Sequence, residues 1–265
     1  WGHRQLGRVI GLVWAAGFLW FWLRRRIPPG WTARLALPGV LGGLQGAIGW
    51  WMVASGLTGE AVDVASYRLA THLGLAFVIL GLLFWLAQGL ARAPADLLQA
   101  RRAGEPRLVA GTTLLLGLAG AQVLAGALVA GIDAGRGFTD WPLMGGQWLP
   151  PDPFALSPGW RNVFEDAGLV QFNHRVLGYL LVLAGLLVWW RARRSPHPVT
   201  RRAFDWLAVG LFGQMVLGIV TVLHGAPWQI AILHQLGAVA VVALILRARF
   251  LARHPLARSL RGQPA

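Results

Sequence analysis

Four histidines sit where an imidazole is costly. His3, His72, His174 and His234 each lie near the start of an apolar run long enough to cross a membrane. An ionisable side chain inside such a run marks function unless a neighbour explains it. Imidazole is a common metal ligand and an axial ligand of haem iron. Histidines on facing helices can clamp a haem, so four could hold two. Pairing by proximity in sequence is the simplest arrangement: His3 with His72, and His174 with His234. The bland alternative is a packed histidine bonded to a carbonyl, but it must then recur four times at matched depth. His224 lies at a similar depth without a counterpart. His197 and His254 fall among arginines and are expected in water.

The runs that must position these residues span 4–23, 36–57, 68–91, 108–132, 169–190, 203–223 and 228–247. With 56% hydrophobic and 13% charged residues, the chain is expected to be an all-α membrane protein with seven transmembrane helices. The formal charge of +14 would suggest nucleic acid in a soluble protein, but here the arginines cluster between apolar runs. Arg24, Arg25, Arg26 and Arg34 occupy one loop, Arg92, Arg101, Arg102 and Arg107 another, and Arg191, Arg193, Arg194, Arg201 and Arg202 a third. Arg247, Arg249, Arg253, Arg258 and Arg261 are read as a C-terminal tail. The positive-inside rule puts these segments in the cytoplasm, and the four histidines on the opposite, periplasmic side of a bacterial inner membrane. The loop with Glu60 and Asp63 also falls on the histidine side. Cysteine is absent, which excludes disulfides, thiolate ligation and covalent haem attachment through cysteine.

The pattern repeats. His3-Arg4-x-x-Gly7 matches His174-Arg175-x-x-Gly178, Gln45-x-x-x-Gly49 matches Gln214-x-x-x-Gly218, and His72-Leu73-Gly74 resembles His234-Gln235-Leu236-Gly237. The two copies run in the same direction, a parallel repeat of a four-helix unit. The expected division is 1–91 as a first unit with three of its four helices, 92–107 as a cytoplasmic linker, 108–250 as a second unit and 251–265 as a tail. The symmetry predicts an eighth helix ahead of Trp1. The proline-rich stretch 133–168 lies on the histidine side and reads as a lid.

Arg4 and Arg175 follow their histidines directly. They either pair with haem propionates or anchor the helix ends at the interface. Asn173 could bond an imidazole or a propionate, or cap its helix. Gln45, Gln122 and Gln214 each begin a Gln-x-x-x-Gly pattern, read first as interhelical hydrogen bonding beside a close-packing glycine. Gly42, Gly43, Gly46 and Gly49 suit close approach by a helix or a macrocycle.

The chain resembles the heme A synthase family, in its cysteine-free mitochondrial and proteobacterial form. The resemblance rests on Gly2-His3-Arg4-Gln5-Leu6-Gly7-Arg8, Gly43-Leu44-Gln45-Gly46-Ala47-Ile48-Gly49-Trp50-Trp51, Tyr67-Arg68-Leu69-Ala70-Thr71-His72-Leu73-Gly74, Ala130-Gly131-Ile132-Asp133-Ala134-Gly135, Trp141-Pro142-Leu143-Met144, Arg161-Asn162-Val163-Phe164-Glu165 and Gln171-Phe172-Asn173-His174-Arg175. It implies an eight-helix oxidoreductase that converts heme O to heme A in cytochrome oxidase cofactor biosynthesis. It further implies that His3 and His72 ligate the substrate or product haem, and that His174 and His234 hold heme b. The family's glutamate three residues before its first histidine would fall ahead of Trp1, so the chain is expected to be incomplete. A heme O synthase, a ferredoxin-like electron donor and a second copy of the chain are the implied partners. Two other readings remain at this point. A di-haem b-type cytochrome exchanging electrons with quinone would explain the histidines without haem chemistry. A transporter built on the repeat would need a polar pathway, which the almost uncharged cytoplasmic halves of the helices do not offer.

Overall fold

A computed structural model describes residues 2–56 and 64–256. Glu60, Asp63, Arg258 and Arg261, invoked above for sidedness, lie outside the described residues. Those described form helices joined by turns: α1 (Gly2–Leu23), α2 (Thr32–Ala54), α3 (Ser66–Leu90), α4 (Pro94–Arg102), α5 (Pro106–Gly131), α6 (Asn162–Glu165), α7 (Ala167–Ala192), α8 (Pro198–Leu223) and α9 (Trp228–Arg253). Six of them, α1, α3, α5, α7, α8 and α9, are long and apolar enough to cross a bilayer, which makes the chain a multi-pass membrane protein. Seven were expected. At 23 residues α2 has the length, but Pro38, Gln45 and its run of glycines dilute its hydropathy.

Local chemistry sets the helix ends. Proline opens α4, α5 and α8, where its missing N–H costs nothing. Asp96 and the pair Arg101 and Arg102 sit at the two ends of α4, each matched to the helix dipole. That short helix lies in the segment 92–107 expected to be a linker. Asp166 caps α7 by accepting from the Leu169 N–H at 2.7 Å. Asn173, a candidate for that role, instead lies inside the helix.

The boundary at 250 is corrected as well. Helix α9 continues to Arg253, so Arg247, Arg249 and Arg253 belong to the helix rather than a tail. Their charge suggested water, but partners on neighbouring helices receive them. Arg247 donates to Gln88 Oε1 at 3.2 Å, and Arg249 donates to the Val109 carbonyl at 2.8 Å and to Thr113 Oγ1. Phe250 and Leu251 between them are buried.

The core lies where α5, α7, α8 and α9 meet, around Leu115, Leu181, Phe204, Leu207, Leu211 and Ile245. Helix α3 packs on α5 and α9, α2 on α3, and α1 on α2. Two close approaches need glycine. The Trp14 indole of α1 lies where a Cβ on Gly39 of α2 would stand, and the Leu211 side chain of α8 does the same at Gly185 of α7.

The stretch 133–166 folds over the histidine end as a structured cover. Asp140 accepts the Gly145 and Gly146 N–H groups at 3.0 Å each, and Met144 is buried beneath them. The fully buried Asn162 side chain bonds Leu156 N, Leu156 O and Gly159 O, closing the turn ahead of α6.

Candidate functional site

Helices α3, α7 and α9 begin at the end of the bundle where α2, α5 and α8 finish. His72, His174 and His234 therefore gather at one end, and His3 joins them from the start of α1. The structure brings the histidines together in two pairs. The ring centres of His3 and His72 are 6.4 Å apart with planes 66° apart; those of His174 and His234 are 6.4 Å apart with planes 78° apart. A metal–imidazole nitrogen bond is about 2.0 Å and that nitrogen lies roughly 1.1 Å from the ring centre, so two axial ligands place their centres about 6 Å apart. Both pairs thus have the spacing that a six-coordinate haem iron requires.

Each of the three histidines on α3, α7 and α9 is held by the helix that precedes its own among the long ones. On α2, Gln45 Nε2 lies 3.4 Å from His72 Nε2 and donates to the His72 carbonyl at 3.0 Å. On α5, Gln122 Nε2 lies 3.2 Å from His174 Nε2. On α8, Gln214 Nε2 lies 3.2 Å from His234 Nδ1 and donates to the His234 carbonyl at 2.8 Å. Four residues after each glutamine, a glycine makes room for the ring. A Cβ on Gly49 would stand 2.8 Å from His72 Cε1, on Gly126 3.0 Å from His174 Cε1, and on Gly218 3.0 Å from His234 Cε1. The interhelical hydrogen bonding read from these patterns is present. The spacing alone did not disclose that its partner in every case is a candidate ligand.

The arginines and the remaining histidines sort differently. Arg4 lies exposed on α1. Arg175 turns to the cover, donating from Nη1 to the Leu143 carbonyl at 2.9 Å and from Nη2 to the Phe138 carbonyl at 3.1 Å. Gln171 donates to the same Phe138 carbonyl at 3.0 Å. The Arg175 Nε group is buried without a partner, which leaves one donor beside His174 for a carboxylate such as a propionate. His224 stays local, with Nδ1 2.8 Å from the Val220 carbonyl of its own helix. His197 precedes α8 and His254 follows α9, both at the arginine end and away from the pairs.

The cover touches both histidine pairs' helices. Trp141 Nε1 donates to Tyr179 Oη on α7 at 2.7 Å, and Tyr67 Oη on α3 donates to Glu165 Oε1 at 2.6 Å. The Arg161 guanidinium, and after it the Tyr67 hydroxyl, hold the Glu165 carboxyl below the usual carboxylate range; the Gly146 and Gly145 N–H groups do the same for Asp140. A depressed folded pKa contributes stability that is present above the unfolded value and lost as pH falls through the folded one. The cover is therefore expected to stay closed at neutral pH and to loosen only below about pH 4. Fluorescence of Trp141, Trp148 and Trp160 against pH measures this, and loosening between pH 7 and 5 would contradict it.

The chain matches the COX15-CtaA family model, described as cytochrome oxidase assembly protein, over residues 1–246. It is 71% identical to the heme A synthase of Dinoroseobacter shibae over 265 residues, all of this chain and 69% of that protein. It is 66% identical to the heme A synthase of Ruegeria pomeroyi over 264 residues, 99% of this chain and 70% of that one. The heme A synthase of Paracoccus denitrificans is 61% identical over 262 residues, 99% of this chain and 69% of its own length. No solved structure matches.

Proposed function

The chain belongs to the heme A synthase family of cytochrome oxidase assembly proteins, and from that premise we propose two haem sites with different duties. The protein is an oxidoreductase that converts heme O to heme A, taking one haem methyl group through a hydroxylated state to the formyl group. His3 and His72 ligate the haem that reacts. His174 and His234 hold a resident b-type haem, which supplies one-electron transfer when bound. The observation that carries this reading is the equal 6.4 Å spacing of the two histidine pairs.

The residues divide the work by position. His174 and His234 sit on helices of the packed core and are each braced by a glutamine, which suits a cofactor that stays. Arg175 bonds the cover and keeps its Nε for a propionate, so it ties closure of the cover to the second site. The cover itself keeps water from the histidine end, and Tyr67 with Glu165 fastens it to the helix that bears His72. The division into units at 1–91 and 108–250 follows the two histidine pairs, with the upper limit carried to Arg253 by α9. The histidine end faces the periplasm of a bacterial inner membrane and the arginine end the cytoplasm. A heme O synthase supplies the substrate and a ferredoxin-like donor the electrons.

The test is expression of the full-length protein with a heme O synthase, followed by extraction and chromatography of its haems. Heme A or its hydroxylated intermediate is the expected product. Heme B and unchanged heme O alone, from folded protein, would favour a di-haem electron carrier instead.

A further inference from the structure

We infer that Gln45, Gln122 and Gln214 are positioning residues that orient the ligand imidazoles, and that Gln122 also sets how strongly His174 donates to iron. The inference rests on the two-haem reading above.

The same device occurs three times. A glutamine and the glycine one turn after it face a histidine on an antiparallel neighbour. The ring edge lies over the glycine while the amide reaches a ring nitrogen. In the second unit the fit is reciprocal. Gly178, one turn after His174, has its missing Cβ 3.3 Å from Gln122 Nε2, and Gly237, three residues after His234, lies against Gln214 Oε1. Each helix of the pair thus supplies both a long polar side chain and the gap that receives its neighbour's. Packing between apolar helices needs only the gaps. The buried amides call for a polar purpose, because an unpaired amide in such surroundings is costly.

The atoms left over match that purpose. An iron-bound imidazole uses one nitrogen for the metal and carries a proton on the other, and an outer partner for that N–H fixes the ring and raises its basicity. In each of the three contacts one ring nitrogen faces the glutamine. The second nitrogen of His72 and of His174, Nδ1, is buried without a hydrogen-bond partner. The Oε1 atoms of Gln45, Gln122 and Gln214 are also buried and unpaired. At Gln122, whose Nε2 meets only the ring, amide oxygen and nitrogen occupy interchangeable positions and a half-turn presents Oε1 to the ring N–H, which satisfies the orphaned acceptor and favours ferric iron. At Gln45 and Gln214 the Nε2 donation to the histidine's own carbonyl fixes the amide the other way, so these two hold the ring and its helix in place.

The experiment uses the purified full-length protein and reads the midpoint potential of the haem held by His174 and His234. Gln122→Met keeps the volume and removes the acceptor. It is expected to keep the two-histidine optical spectrum and to raise the potential by the equivalent of about a tenfold change in ferric preference, 59 mV for one electron. Gln122→Glu offers a stronger acceptor and is expected to lower it. Gln45→Met, outside that site, is expected to leave this potential in place and to weaken haem binding at His3 and His72. If a Met variant loses the haem, the Glu variant decides: a lowered potential supports positioning, and an unchanged one overturns it. Unchanged potentials in Met and Glu variants that retain haem also overturn it. Absence of a two-histidine haem from the unaltered protein is a different result, because it removes the two-haem reading itself.

Discussion

His174→Ala is expected to strip the b-type haem from the purified protein while the site formed by His3 and His72 continues to bind. Loss of a partner that only supports a metal ligand typically weakens metal binding about 10- to 100-fold, so loss of the ligand itself should exceed that range. His234→Ala is expected to behave alike, since its ring centre lies 6.4 Å from that of His174. The measurement is the ratio of each haem type to protein after extraction. Full b-haem content in either variant would exclude that histidine as a ligand. Loss of both haems from folded protein would mean that the two sites are not independent.

His72→Ala and His3→Ala are expected to fail unequally. A haem gripped by two strong ligands has no open position on iron, so one ligand must yield if the iron is to take part in the oxidation. The geometry favours His72 as the one that stays. Gln45 bonds both its ring and its carbonyl, and Gly49 lies against its edge, whereas His3 stands exposed on α1, a helix with no buried residue. His72→Ala should therefore release the substrate haem and lower heme A formation by about two orders of magnitude or more. His3→Ala should retain haem with an altered spectrum. Equal losses, with both variants still binding haem, would refute this division.

Much of this was legible because hydropathy and charge are properties of single residues. Seven apolar runs were marked by them, of which six are helices long and apolar enough to cross a bilayer, and helix limits fall within a few residues for most runs. What escaped depended on partners. Arg249 looks like a solvated tail residue until the Val109 carbonyl and Thr113 receive it. Asn173 looked able to cap α7, but Asp166, seven residues earlier, holds the Leu169 N–H. The short α4 carries its signals openly in Pro94, Asp96 and Arg101, but at 9 residues it is too short to cross a membrane and hydropathy does not mark it. The glutamines form a visible pattern, yet a spacing of four residues shows only that Gln and Gly share a helix face. Which residue stands opposite is set by the register between helices, and sequence periodicity does not encode that register.

The two glycine contacts, Trp14 on Gly39 and Leu211 on Gly185, bear on how helices with matching sequence patterns find the right neighbour. By the sequence repeat, Trp14 of α1 corresponds to Gly185 of α7, and Leu211 of α8 corresponds to Gly42 of α2. The bulky residue is on the first helix of one couple and on the second helix of the other. If α1 met α8 in the register of α7 on α8, Trp14 would face Leu211 across too small a gap; if α7 met α2 in that register, glycine would face glycine across a void. Both exchanges are penalised, one by overlap and one by lost contact. A chain that delivers two similar hairpins into the same bilayer in succession thereby carries its own instruction against shuffling them.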